Sequence, residues 1–92
     1  MNDTELHVKA ACEKRDAALD KFKWKRYMAV GDLAIKAAEQ AIEAAVSLEG
    51  KYFTPIREVP TPIDSGERAE KALKALERIL DGIEKETGIR FK

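Results

Sequence analysis

The chain has 92 residues and a mass near 10.3 kDa, and its seventeen basic residues are cancelled by seventeen acidic ones. That balance excludes a generally basic nucleic-acid coat, though not a local patch. Cys12 is the only cysteine, which excludes a disulfide within the chain, and no window approaches the ~18 apolar residues of a membrane helix.

One domain is expected, and a domain this small buries only about 60–65% of the surface its unfolded chain exposes, so its stability is marginal. A single unpaired thiol suits a reducing compartment. The opening MNDTELHVKAACEKR is charged throughout and lacks the apolar core of a signal peptide. A cytoplasmic protein follows as the expectation.

The first helix is predicted over about residues 4–22. Asn2 and Glu5 have the spacing of a capping box, so Asn2 is expected to accept from the first turn. Val8, Ala11, Cys12, Ala18, Leu19 and Phe22 recur at three- and four-residue steps and share one face. Arg15 falls in the middle of that face. An arginine there can snorkel to the rim, pair with a carboxylate of another helix, or face a polar cleft.

KFKWKR, residues 21–26, alternates four cations with two aromatic rings. Two readings compete. Basic residues interleaved with aromatics can hold a phosphate backbone and stack bases, making Lys21, Lys23, Trp24, Lys25 and Arg26 candidate contacts for nucleic acid or another anionic partner. Alternatively Phe22 continues the apolar face, Trp24 plugs the corner where two helices meet, and the lysines are merely solvated around it.

The second helix is predicted over about 26–48. Asp32, Lys36, Glu39, Glu43 and Ser47 form one narrow polar stripe, and almost every other position is apolar. Such girth touches neighbours on more than one side, which makes this the central helix. Ala34, Ala37, Ala38, Ala41, Ala44 and Ala45 let other backbones come close. Gly31 could break it, at about 1 kcal/mol relative to alanine if mid-helix. The polar stripe nevertheless keeps phase back to Tyr27, so the turn is placed near 23–25, with a break at Gly31 and one continuous helix as alternatives.

Gly50 ends that helix. KYFTPIREVPTPIDS follows, with three prolines and no helical period, a long connection for so small a domain. Residues 51–64 are expected to form an extended strap packed through Tyr52, Phe53, Ile56, Val59 and Ile63. Arg57, with Tyr52 and Glu58, is its candidate functional residue and, like Arg15, a candidate for a polar cleft. The third helix is predicted over 65–87. Asp64 and Glu67 repeat the capping-box spacing, and Ala69, Ala72, Leu73, Leu76, Ile79, Leu80 and Ile83 make its apolar stripe. Thr87-Gly88 supplies the stop, with Ile89 folding back on Ile83. Glu67–Lys71, Glu70–Lys74 and Asp81–Lys85 are spaced to pair, at a few tenths of a kcal/mol each.

The expected product is an all-α, antiparallel three-helix bundle with a long proline-containing second connection. One helix that is apolar on two sides leaves surface to cover from outside the chain, so self-association, most simply as a dimer, is expected. No catalytic, cofactor or metal residues are assigned. His7 and Cys12, five apart on a helix, diverge by about 140° and cannot share a metal or act as a nucleophile–base pair within one chain. No glycine-rich phosphate loop occurs.

DLAIKAAEQAIEAAVSLEG (32–50) resembles the alanine-rich second helix of HEPN domains. ERAEKALKALERILDGIEKE (67–86) resembles their closing helix, and YFTPIREVPTP (52–62) the extended passage that some members place before it. The likeness covers roughly residues 15–86. It implies a small, commonly dimeric helical domain found with nucleotidyltransferase partners or in toxin–antitoxin systems. Many HEPN proteins are metal-independent ribonucleases that use an arginine followed four to six residues later by a histidine. Here the one histidine, His7, is preceded by MNDTEL, so that pair has no counterpart, and a helix between the second and last is missing. The function expected is therefore a non-catalytic helical module that binds itself or a partner protein, with an RNA-binding or degenerate ribonuclease-like domain as the alternative.

Overall fold

The computed structural model describes residues 2–49 and 65–91. They form three helices, α1 (Asp3–Lys23), α2 (Tyr27–Glu49) and α3 (Gly66–Thr87), with no strand among the described residues. The all-α, three-helix architecture is thus the one expected from the sequence. None of these helices is long and apolar enough to cross a membrane.

Local chemistry sets the helix ends. Asn2 is extended, and its side-chain oxygen accepts from the Glu5 N–H at 2.8 Å, satisfying one of the unpaired donors of the first turn. Asp3 and Glu5 lie in the first turn of α1 and Lys21 and Lys23 in its last, matching the helix dipole at both ends. The chain then turns over Trp24–Arg26, where Lys25 adopts a left-handed φ of 60°. Gly31 lies inside α2 and is buried. At α3 the cap is Ser65, whose hydroxyl accepts from the Arg68 N–H at 3.3 Å, one residue later than the Asp64–Glu67 spacing indicated. Asp64 lies outside the described residues.

Cross-helix bonds give the directions. Thr4 Oγ1 meets Ser47 Oγ at 2.6 Å, and His7 Nδ1 meets Gln40 Oε1 at 2.8 Å. Phe22 and Tyr27 pair at the opposite end, so α1 and α2 are antiparallel. α3 begins beside Tyr27: a methyl group built on Gly66 would stand 3.1 Å from the Tyr27 hydroxyl oxygen. Hence α2 and α3 both set out from the end where α1 finishes and run in the same direction, so the antiparallel order expected from the sequence holds for α1 against α2 but not for α2 against α3. A 23-residue helix is about 34 Å long, which leaves Glu49 more than about 20 Å from the start of α3. That separation is why the second connection is long. The expected strap lies outside the described residues.

α2 packs against both α1 and α3, which scarcely touch each other. Among the described residues, eleven of the eighteen buried hydrophobic residues are alanine, and the largest fully buried side chains are Leu76, Ile83 and Val30. Alanine at a helix contact permits an interaxial distance at the close end of the ~8–10 Å range. Here one expectation is corrected. The six alanines of α2 between Ala34 and Ala45 need no outside cover, because every one is fully buried within this single chain. A methyl group presents so little surface that two neighbouring helices close over it. Among the described residues, the large apolar side chains left exposed are Leu6, Leu19, Trp24, Met28, Val46 and Leu48.

The chain does not stop at α3. Gly88, at φ 79°, caps the helix by donating its N–H to the Glu84 carbonyl at 2.9 Å. Thr87 Oγ1 donates to the Ile83 carbonyl and accepts from the Ile89 N–H, and the Phe91 N–H donates to the Glu84 carboxylate at 2.8 Å. These bonds fold the tail back, and Ile89 and Phe91 join the core.

Candidate functional site at the α1–α2 corner

The corner is built by KFKWKR. Phe22 is half-buried against the core, and its ring centroid lies 6.1 Å from that of Tyr27 at a tilt of 55°, the offset geometry that aromatic pairs favour. These two rings close the end of the α1–α2 pair. Trp24 does not: it is 65% exposed. The reading in which Trp24 plugs the corner is therefore corrected in favour of Phe22 and Tyr27. The cause is helix phase, since two residues beyond an inward-facing Phe22 the side chain has rotated by about 200° to the outside.

Backbone bonds hold the turn. The Trp24 N–H donates to the Asp20 carbonyl at 3.2 Å, Lys25 to Phe22 at 3.0 Å and Arg26 to Lys21 at 2.9 Å. Lys23, Lys25 and Arg26 are exposed and Lys21 half-exposed. Lys21, Trp24 and Arg26, together with Asp20, line one open depression of about 460 Å³. Among the described residues no carboxylate pairs with Lys21, Lys23, Lys25 or Arg26. Elsewhere three lysines pair with an acid one turn away: Lys36 with Asp32 at 3.0 Å, Lys74 with Glu70 at 3.4 Å and Lys71 with Glu67 at 3.6 Å. Lys9, Lys14 and Lys85 show no such pair among the described residues, and the expected Asp81–Lys85 pair does not form. The first turn of α2 contains no acidic residue, and its unpaired N–H groups open on the same corner. Chemically the corner offers a flat, exposed ring and four clustered cations.

The other candidates lie apart from it. Arg15 is largely buried; its Nε donates to Asp16 Oδ1 and its Nη1 to the Phe91 carbonyl, both at 3.1 Å. It ties α1 to the folded-back tail. Arg57, with Tyr52 and Glu58, lies outside the described residues. His7 bridges α1 and α2, with Nδ1 at 2.8 Å from Gln40 Oε1 and 3.2 Å from Glu43 Oε2. Cys12 packs against the core. No group of three or more His, Cys, Asp or Glu among the described residues is placed to hold a metal ion.

Two contributors were not singled out from the sequence. Phe91 follows a helix stop, where no periodicity marks it as apolar core. The His7–Gln40–Glu43 bridge depends on the register between two helices, which spacing along either one does not contain. Comparison with protein-family models, curated proteins and solved structures returned no match.

Proposed function

We propose that this chain is a non-catalytic helical interaction module of the cytoplasm that pairs with a second copy of itself along the outer edge of α2. The observation that carries this reading is the exposure of Met28 and Val46 at the two ends of one apolar line. Met28, Ile35 and Ile42 follow at seven-residue steps, and Val46 lies one turn beyond. Ile35 and Ile42 are half-buried against the core, whereas Met28 is 80% and Val46 40% exposed. A line of this period presents a seam to a second helix.

The core supplies a motive. Built mostly of alanine, it withdraws little apolar area from water, and each Å² covered by a partner adds about 25 cal/mol. A stable interface needs about 800 Å² per partner, roughly a seventh of the 5898 Å² that this chain exposes. The resemblance to HEPN domains points the same way, since those domains are commonly dimeric. A partner protein such as a nucleotidyltransferase would use the same edge. Sedimentation velocity over a wide concentration range tests the reading: mass should rise from 10.3 kDa toward twice that value. A strictly monomeric boundary at high micromolar concentration would remove self-association.

A further inference from the structure

We propose that the α1–α2 corner binds single-stranded nucleic acid, with Trp24 as the stacking platform for a base and Lys21, Lys23, Lys25 and Arg26 as the phosphate contacts. The proposal does not rest on pairing through α2. It starts from a large ring that the fold leaves mostly exposed. Phe22 and Tyr27 close the corner, so the indole of Trp24, 65% exposed, is left mostly to solvent. An exposed tryptophan presents a large flat face that every base can stack upon.

The charges around it carry the second part of the argument. Four of the chain's seventeen cations fall within six residues, and none of the four is paired with a carboxylate among the described residues. Lys36, Lys71 and Lys74 are matched by acids one turn away, and the other cations without such a match among the described residues are scattered singly along the chain, so the corner is where unmatched positive charge is clustered. Lys21 and Arg26 share one depression with the indole, because the turn brings the Arg26 N–H onto the Lys21 carbonyl. Asp20 lines the same depression and offsets part of that charge. A cation beside an exposed ring is the arrangement that holds a phosphate while the adjoining base stacks. Duplex is the poorer ligand, since its bases are already stacked on one another and leave phosphates alone to bind.

Trp24 is the only tryptophan, so selectively excited tryptophan fluorescence reads this corner alone. The full chain is titrated at low salt with short oligo-dT, oligo-U, a duplex of equal length, and vesicles containing phosphatidylserine. Saturable quenching by both single strands is expected, with weaker binding of duplex. Affinity should fall with salt at a log–log slope approaching about −2.8 if all four cations contact phosphates. Trp24→Ala, followed by anisotropy of a labelled strand, should lose about five- to 150-fold in affinity. Lys23→Ala with Lys25→Ala should flatten the slope by about 1.4. All three side chains are exposed, and an unchanged far-UV circular dichroism spectrum confirms that each variant folds. Absence of quenching at low salt, undiminished binding by Trp24→Ala, or a response to vesicles without one to oligonucleotides would each overturn the proposal.

Discussion

Phe91→Ala isolates what the C-terminal tail contributes to the fold. The ring is only 8% exposed and belongs to the same core as Leu76, Ile79 and Ile83. Its backbone is held twice, by the N–H bond to Glu84 and by Arg15 on the carbonyl. Truncating a buried phenylalanine to alanine costs about 3–5 kcal/mol. Phe91 lies at the edge of the core, 8% exposed, where the surroundings can close over part of the cavity, which favours the lower figure, about 3 kcal/mol. At about 4–8 °C per kcal/mol for a domain of this size, the melting point should fall by about 12–24 °C. Thermal unfolding followed by far-UV circular dichroism measures it. Arg15→Met keeps the aliphatic stem and removes the tie to the tail, so a smaller loss of about 1 kcal/mol, or about 4–8 °C, is expected from the same assay. A Phe91→Ala melting point within about 4 °C of the parent, as for an ordinary surface substitution, would refute the placement of the tail in the core.

Three further outcomes follow from the same packing. Ala41→Leu, at a fully buried position of the central helix, should destabilise by about 1–3 kcal/mol in denaturant titrations, because close-packed helices leave no room for the added methyl groups; unchanged stability would mean the helices are not in close contact. Trp24→Ala should leave the melting point within about 4 °C, and a larger fall would restore the tryptophan as a packing residue. Gly88→Ala meets no side chain but forces alanine to a φ of 79°, so about 1–2 kcal/mol should be lost through the backbone alone, and a neutral result would place the helix stop elsewhere.

Much of this fold is legible in the sequence, for definite reasons. Period-3.6 apolar stripes located all three helices, and Asn2 announced its cap by its distance from Glu5. Helical phase, continuous from Tyr27 through Gly31, placed the turn correctly where the glycine alone would have misled. What spacing could not supply was anything that depends on a neighbour. Which ring of KFKWKR turns inward depends on where α1 stops, since one residue is about 100° of rotation. Arg15 stood out as a cation on an apolar face, but its partner is a carbonyl at the far end of the chain. The six alanines of α2 misled in a different way: counted as apolar surface they ask for outside cover, whereas as small groups they are the easiest to bury completely.

The most direct test of the account is the oligomeric mass of Val46→Glu beside that of the parent chain. A charge at the exposed end of the α2 line should leave the helical spectrum unchanged and hold the protein at 10.3 kDa at concentrations where the parent approaches twice that mass. A parent that stays at 10.3 kDa throughout, or a Val46→Glu variant that pairs as readily as the parent, would contradict association along this edge.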